Sequence, residues 1–254
     1  ADAEIIFVLT SSPFVASVLE GIAPHVDESS LIVVGSKGIL EDGTLMTDLV
    51  EKILPKNHYA VISGPTFAVD VAALEPVGFT IGTKSISDFE KIVPCFKTAH
   101  LEYSSDVLAI EMCGSLKNAY AIGSGLLNGL NYGHSTSCLY ITKALHEMSS
   151  IFGCLDASPH STNTLAGVGD LVLTCTSQNS RNFTFGTVLA LGDEIQKKEY
   201  LQINTVEGYE NLKAYVKLFA RKNVAAPLLS CVNDIVEGRS EPEKIIELLL
   251  DKKV

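Results

Sequence analysis

The sequence predicts a two-part fold, an α/β domain followed by an all-helical domain. Over about the first hundred residues, short β-branched runs alternate with segments that have helical apolar spacing. Alternating strands and helices imply βαβ units and a largely parallel sheet. After Ser104 the strand signal disappears and only helical segments follow. We therefore predict an α/β domain over residues 1–104 and an all-helical domain over residues 105–254.

In the first domain, one run indicates a buried strand most clearly, because Leu31–Ser36 is apolar at nearly every position. The predicted strands are Glu4–Thr10, Leu31–Ser36, Tyr59–Ser63, Val77–Thr83 and His100–Ser104. The predicted helices between them are Pro13–Gly21, Thr44–Leu54, Phe67–Ala73 and Ser87–Phe96.

The second domain has helical segments throughout, and Ser158-Pro159 is a typical helix start, a capping residue followed by Pro at the first helical position. The predicted helices are Ser105–Leu126, Ser135–Phe152, Ser158–Ala166, Asp170–Thr176, Arg181–Leu191, Val206–Lys222, Pro227–Glu237 and Pro242–Asp251.

The composition excludes several classes of partner. The net charge of −11 argues against nucleic acid and against an anionic membrane surface. No apolar run approaches the ~20 residues that a membrane span needs. The six cysteines are scattered without zinc-type spacing, and the six histidines form no metal-type cluster. We therefore expect reduced thiols, no metal site and a cytoplasmic protein.

One expected feature is missing from the first domain. A doubly wound sheet that binds a dinucleotide normally opens with a strand and G-x-G-x-x-G at the next helix. No segment of this chain matches that pattern, and its first run resembles a strand from the middle of such a sheet. A sheet built from these strands alone would have an exposed parallel edge. We therefore expect the domain to be incomplete at its N-terminal side.

Lys117 is the cation that interrupts the long apolar helix Ser105–Leu126, and its i±3 and i±4 neighbours include no carboxylate. A buried ammonium must find a partner elsewhere in the chain or lose its proton, and such lysines serve acid–base chemistry. The alternative is a snorkelling side chain whose ammonium reaches water. Asp170, among apolar and glycine residues, is the candidate partner. Its alternative role is the N-cap of the helix that follows it, and both roles can hold at once.

Three loops could contribute to a site for a small anion. Ser36-Lys37-Gly38 follows a predicted strand, where open α/β sheets bind ligands. Ser63–Ala68 (S-G-P-T-F-A) runs from a strand into a helix, and Ser180-Arg181-Asn182 opens another helix whose free N–H groups favour a phosphate or carboxylate. For each, the alternative is an ordinary solvated loop or capped helix. Glu147 is interpreted as helix surface.

Taken in order, several motifs resemble one family. The motifs are S-G-P-T-F-A, G-S-L-K-N-A, L-A-G-V-G-D-L-V-L-T-C-T, S-R-N and V-E-G-Y. They are similar to the NAD(P)-dependent glycerol-3-phosphate dehydrogenases of bacterial type, and the third block followed by S-R-N is the most specific part. The resemblance implies a Rossmann-like dinucleotide-binding domain, incomplete here, packed on an all-helical substrate domain. In that family the glycine fingerprint lies upstream, so poor cofactor binding is expected without it.

The resemblance implies hydride transfer between NAD or NADP and dihydroxyacetone phosphate, giving sn-glycerol 3-phosphate for glycerophospholipid synthesis. It implies that Lys117 donates and accepts the proton, that Asp170 orients it, and that Lys37 is catalytic beside the nicotinamide. The implied substrate contacts are Lys37, Gly64, Thr66, Lys117, Asn118, Asp170, Ser180, Arg181 and Asn182. The implied cofactor contacts are Lys37, Ala68, Arg181 and Glu207. A homodimer is also expected.

Two alternatives remain open. A related dehydrogenase with the same two-domain plan would act on hydroxy acids and would lack S-R-N at the phosphate end. A non-catalytic protein would bind glycerol 3-phosphate without oxidising NADH. The presence of both Lys117 and Asp170 favours the enzyme.

Overall fold

The computed structural model describes residues 3–251, and five strands form one sheet in the order β1-β2-β3-β4-β5. The strands are β1 Ile5–Val8, β2 Leu31–Val34, β3 Tyr59–Ser63, β4 Val77–Thr83 and β5 Ala99–Ser104. β1, β2 and β3 are parallel, β4 runs antiparallel to β3, and β5 is parallel to β4. The predicted α/β class with a largely parallel sheet is confirmed, and the β3–β4 pair is the antiparallel exception.

Both faces of the central strands are covered, which explains their continuous apolar sequence. The helices of this part are α1 Val15–Ile22, α2 Met46–Ile53, α3 Ala68–Ala72 and α4 Ile86–Ile92. Successive side chains of a strand point to opposite faces. Ile32 and Val34 of β2 therefore join the large core shared with α1 and α2, while Leu31 and Val33 join a smaller core that includes Ile92 of α4.

The second part is helical, and one buried helix organises it. Its helices are α5 Val107–Gly129, α6 His134–Cys154, α7 Asp170–Thr176, α8 Arg181–Ala190, α9 Glu194–Ile203, α10 Glu207–Lys222, α11 Pro227–Val236 and α12 Lys244–Leu250. α5 is buried along nearly its whole length and packs against β3, α6, α7, α8 and α10. Across residues 3–251, we find no helix with the length and apolarity that crossing a bilayer requires.

Glycines let α5 and α8 cross at backbone contact. A Cβ on Gly125 of α5 would overlap the carbonyl oxygen of Phe183, and a Cβ on Gly186 of α8 would overlap the carbonyl oxygen of Ile122. Only glycine permits this approach at both positions. The start of α8 is thereby fixed relative to the middle of α5.

Three details differ from the predicted elements. The helix predicted over Ser158–Ala166 is instead a 3₁₀ helix at Pro159–Asn163, followed by a π-helical turn at Leu165–Gly169. Helix α9 was not predicted, because its sequence lacks a clear apolar stripe. Glu147, predicted at the surface, is buried and accepts hydrogen bonds from the Leu228 N–H (2.6 Å) and the Leu229 N–H (3.0 Å) at the start of α11.

Candidate active site

One carboxylate bridges two lysines where the two parts of the chain meet. Lys117 of α5 donates from Nζ to Oδ1 of Asp170, in a short hydrogen bond. Lys37, in the loop after β2, donates from Nζ to Oδ2 of the same carboxylate at 3.0 Å. Asp170 is completely buried, and the side chains of Lys117 and Lys37 are 7% and 24% exposed. The cluster carries a net positive charge in a largely buried setting.

This geometry decides between the sequence interpretations of Lys117 and Asp170. The Lys117 ammonium bonds to Asp170 and its side chain is buried, so the snorkelling alternative is wrong. Asp170 is the first residue of α7, and the N-cap position belongs to Gly169. The capping alternative for Asp170 is therefore also wrong, and its carboxylate is occupied by the two ammonium groups.

The π-helical turn sets the direction in which Asp170 enters the site. The first N–H groups of this turn donate to side chains of the sheet. Leu165 donates to Oε2 of Glu102 at 2.9 Å, and Ala166 donates to Oγ1 of Thr80 at 3.0 Å. π-turns inside helical segments are rare and often lie at functional sites. These two hydrogen bonds fix the turn against β4 and β5 immediately before Asp170.

Burial makes Lys117 an unusually weak base. Desolvation is the largest effect on its pKa and lowers it, because the charged form loses its hydration. The Asp170 carboxylate opposes this effect and the Lys37 charge adds to it, with the net result that the pKa of Lys117 falls to about 8. Lys117 can therefore give or take a proton near neutral pH.

A chain of amide hydrogen bonds lies beside the cluster. Asn182 of α8 donates to Oδ1 of Asn118 at 3.1 Å, and Asn118 donates to Oε2 of Glu207 at 3.3 Å. The Gly208 N–H donates to Oδ1 of Asn182 at 2.8 Å. Burial raises the pKa of Glu207, while the charges of Arg181 and the two site lysines oppose that rise. The structure thus brings four predicted residues, Asn118, Arg181, Asn182 and Glu207, to the rim of the cluster.

The predicted phosphate residues occupy the start of α8. The Ser180 hydroxyl accepts a hydrogen bond from the Phe183 N–H at 3.2 Å and so caps the helix. Arg181 is the first residue of α8 and is exposed, which leaves its guanidinium accessible to a ligand. The side-chain amide of Asn182 already has protein partners, because its Oδ1 accepts from Gly208 and its Nδ2 donates to Asn118.

A cleft of about 510 Å³ adjoins the cluster on the sheet side. Lys37 and Ser63 line it, together with Thr66 and Ala68 of the predicted site. Gly64 is constrained by packing, because a Cβ there would overlap the carbonyl oxygen of Gly78.

The other walls of this cleft are mainly apolar, with aromatic rings from Phe7, Phe79 and Phe96. Apolar and aromatic walls with a few polar groups at the edge, here Lys37 and Ser63, are typical of small-molecule and cofactor sites.

Three residues near the cluster were not predicted as site residues. Ser63 Oγ lies 3.5 Å from Oδ2 of Asp170, and Thr174 Oγ1 lies 3.4 Å from Oδ1. Asn211 of α10 holds the backbone of the Lys37 loop. Ser63 lies inside a motif that the sequence singled out. Thr174 follows Asp170 by one helical turn, a spacing that could have identified it.

The comparisons with known proteins agree on one family. Residues 1–88 match the profile described as NAD-dependent glycerol-3-phosphate dehydrogenase N-terminus, and residues 106–247 match the profile described as the C-terminus of the same family. A glycerol-3-phosphate dehydrogenase [NAD(P)+] of Baumannia cicadellinicola is 36% identical over 233 residues, which cover 90% of this chain and 68% of that protein. The Photorhabdus laumondii enzyme of the same name is 35% identical, covering 94% and 73% of the respective chains.

The fold comparison is consistent with this result. The crystal structure of glycerol-3-phosphate dehydrogenase from Coxiella burnetii superposes with a TM-score of 0.90 at 30% identity, covering 98% of this chain and 77% of that one. Both parts of the chain and nearly all of its length are therefore accounted for by one set of relatives, and the chain belongs to the NAD-dependent glycerol-3-phosphate dehydrogenase family.

Proposed function

We propose that this protein interconverts dihydroxyacetone phosphate and sn-glycerol 3-phosphate with NAD or NADP as the redox partner. The observation that carries the proposal is the buried Lys117–Asp170–Lys37 cluster beside the cleft at the sheet. When bound, the nicotinamide cofactor supplies or accepts the hydride. Family membership supports the same reaction.

In the reducing direction, Lys117 is the proton donor. Hydride addition to the C2 carbonyl leaves negative charge on its oxygen, and a neighbouring ammonium stabilises that charge and then donates a proton to it. Lys117 thereby becomes the neutral amine, and the oxygen becomes the C2 hydroxyl. In the oxidising direction the neutral amine of Lys117 takes the same proton. Its pKa of about 8 allows both roles near neutral pH.

Asp170 and Lys37 support this proton transfer. Asp170 fixes the Lys117 ammonium and partly offsets its desolvation, since it accepts from both lysines. Lys37 adds a second positive charge at the mouth of the cleft, where it polarises the substrate carbonyl. The low local dielectric strengthens both effects relative to water.

The proposed phosphate site is the start of α8. Arg181 offers an exposed guanidinium, and Ser180 adds a hydroxyl next to the positive end of the helix dipole. Asn182 and Asn118 complete the substrate side, and Gly64 and Thr66 border it from the sheet. Ala68 lines the cleft at the sheet, and Ala68, Arg181 and Glu207 would help to hold the cofactor.

The proposal extends to the setting of the reaction. The six cysteines are free, which supports a reducing, cytoplasmic environment. The product then supplies glycerophospholipid synthesis, and a homodimer is the proposed assembly.

The test is oxidation of NADH and of NADPH by the purified protein in the presence of dihydroxyacetone phosphate. We expect turnover at saturating cofactor, and we expect Lys117→Met to lower it by about a thousandfold or more. The exposed Lys198 of α9 provides the matched control, since Lys198→Met should leave turnover unchanged. Binding of glycerol 3-phosphate without cofactor oxidation would replace this proposal with the non-catalytic alternative. Turnover of Lys117→Met within tenfold of wild type would remove Lys117 from its role.

A further inference from the structure

Asn211 is a buried polar residue of α10 whose amide joins three separate segments. Its Nδ2 donates to the carbonyl oxygen of Lys37 at 3.2 Å and to the carbonyl oxygen of Ser115 at 3.3 Å. Its Oδ1 accepts from the Ile39 N–H at 3.3 Å. The side chain is only 3% exposed, so both amide hydrogens and the oxygen have protein partners where little water can replace them.

These three hydrogen bonds fix the backbone from which the Lys37 side chain extends relative to the part of α5 that carries Lys117. The Lys37 and Ile39 backbone groups flank Gly38, so Asn211 holds the loop on both sides of its middle residue. Ser115 lies two residues before Lys117 in α5. One side chain therefore fixes the Lys37 loop against the helix that carries Lys117.

The loop is also held tightly on its other side. A Cβ on Gly38 would overlap the Ser12 hydroxyl, and the Ser36 hydroxyl donates to the carbonyl oxygen of Thr10 at 2.6 Å. The Lys37 carbonyl oxygen accepts its hydrogen bond from Asn211 of α10. A buried carbonyl left without a partner costs free energy, so the loop would rearrange if Asn211 were lost.

We propose that Asn211 is a positioning residue of this enzyme, holding the Lys37 loop on α5 so that both lysine ammonium groups meet the Asp170 carboxylate. The inference rests on the proposed function, because it assigns a role in the same lysine cluster. Asn211 does not touch that carboxylate, and it acts through the backbone of Lys37.

The charge environment of Lys117 gives this role a measurable signature. The groups that face Lys117 are Asp170 from α7, Lys37 from the loop after β2, Glu207 from α10 and the buried Cys175 thiol from α7. Of these, Lys37 lowers the pKa of Lys117 by charge repulsion. Release of the Lys37 loop should therefore raise the pKa of Lys117.

Tyr215 provides a matched control one helical turn further along α10. Its hydroxyl lies 2.5 Å from the Ser115 hydroxyl, so it joins the same two helices at the same residue. Among residues 3–251, its hydroxyl makes no hydrogen bond to the Lys37 loop. Tyr215→Phe should therefore report the effect of losing an α10–α5 hydrogen bond without moving Lys37.

The experiment compares Asn211→Leu and Tyr215→Phe with wild type by the pH dependence of kcat/KM for dihydroxyacetone phosphate reduction. We expect Asn211→Leu to lower kcat by about tenfold or more and to move the alkaline limb upward by about half a pH unit. Tyr215→Phe should keep the wild-type limb. In a Lys37→Met background, Asn211→Leu should add less than about twofold, because the group it positions is already gone.

A second measurement, which does not require turnover, accompanies the pH profiles of kcat/KM. NMR titration of isotope-labelled lysine ammonium groups, with the Lys117 signal assigned through Lys117→Met, should show the same upward shift in Asn211→Leu. If Asn211→Leu does not fold, Asn211→Ala removes the same hydrogen bonds with less steric conflict. Inactive wild-type protein would overturn the proposed function while the titration still decides the role of Asn211. An unmoved Lys117 titration, or an equal shift in Tyr215→Phe, would overturn the positioning role.

Discussion

Gly208 of α10 contacts the backbone of α5 at Asn118 so closely that a Cβ on Gly208 would overlap the Asn118 carbonyl oxygen. The same Cβ would lie 2.7 Å from Oδ1 of Asn182. This approach places Glu207, the preceding residue, within hydrogen-bonding distance of the Asn118 amide. The glycine of V-E-G-Y therefore serves the geometry of the site.

Gly208→Ala should separate α10 from α5. The added methyl has no space, and overpacking of this kind costs about 1–3 kcal/mol. We expect a lower free energy of unfolding in urea denaturation. We also expect a raised KM for the cofactor, since Glu207, a proposed cofactor contact, moves with the helix start. Gly21→Ala is the control, because a Cβ at Gly21 of α1 meets nothing within 4 Å. Equal stability of the two variants would contradict the packing argument.

Asp170→Asn should move the pH profile in the direction opposite to Asn211→Leu. The Asp170 carboxylate raises the pKa of Lys117 against the effect of burial, so its removal lowers that pKa below about 8. In the proposed mechanism, reduction of dihydroxyacetone phosphate needs the Lys117 ammonium, and kcat/KM should therefore fall at a lower pH than in wild type. Steady-state pH profiles measure this shift. If kcat/KM falls at the same pH in Asp170→Asn as in wild type, Lys117 is not the titrating group.

Arg181→Ala should mainly weaken substrate binding. A hydrogen bond to a charged group contributes about 1.5–3 kcal/mol, which corresponds to about a tenfold to hundredfold rise in KM for dihydroxyacetone phosphate. The kcat value should change less, because Arg181 is not in the lysine cluster. Lys198→Ala tests whether any loss of surface charge has this effect. An unchanged KM in Arg181→Ala would argue against a phosphate site at the start of α8.

Glu111 of α5 should make stability depend on pH. Its carboxylate accepts from the Met46 N–H at 2.7 Å and the Thr47 N–H at 3.1 Å, at the start of α2. Burial, only partly offset by these bonds, raises its pKa from 4.5 to about 7. Between those two values the folded state binds more protons than the unfolded state. The free energy of unfolding should therefore fall as pH rises through this window, by up to about 3 kcal/mol.

Glu111→Gln tests this dependence. The amide oxygen can still accept from the start of α2, but no charge is buried when the pH rises. Urea denaturation at several pH values should show a flatter profile for Glu111→Gln than for wild type. The exposed Glu90 of α4 is the matched position, and Glu90→Gln should keep the wild-type slope. Parallel profiles for all three proteins would assign the pH dependence to other groups.

The central pairing of the site could be predicted because burial restricts it. A cation in an apolar helix needs a carboxylate, and Asp170 was a candidate in a comparably apolar setting outside that helix. The amide chain through Asn118 and Asn182 could not be predicted in the same way. Asparagine side chains bond in many settings, and their partners depend on the α5–α8 crossing rather than on local sequence.

The missed elements have a similar explanation. Helix α9 is held by tertiary contacts, including the Tyr200 hydroxyl on the Arg181 carbonyl oxygen at 3.1 Å and the Tyr200 ring stacked on Phe185. The antiparallel direction of β4 depends on the path of the preceding segment, which apolar spacing does not encode. The π-turn before Asp170 depends on Thr80 and Glu102, which are distant in sequence.

The crossing of α5 and α8 at Gly125 and Gly186 has a consequence for substrate choice. Lys117 lies on one of these helices and Arg181 begins the other, and their backbones touch without intervening side chains. If Arg181 binds the phosphate, the distance from the phosphate to the reacting carbon depends on the fixed backbone positions of Arg181 and Lys117. Only the conformations of the Arg181 and Lys117 side chains can adjust it. The enzyme should therefore discriminate between phosphorylated ketones by the number of carbons between phosphate and carbonyl. It does not need a bulky residue to block longer substrates.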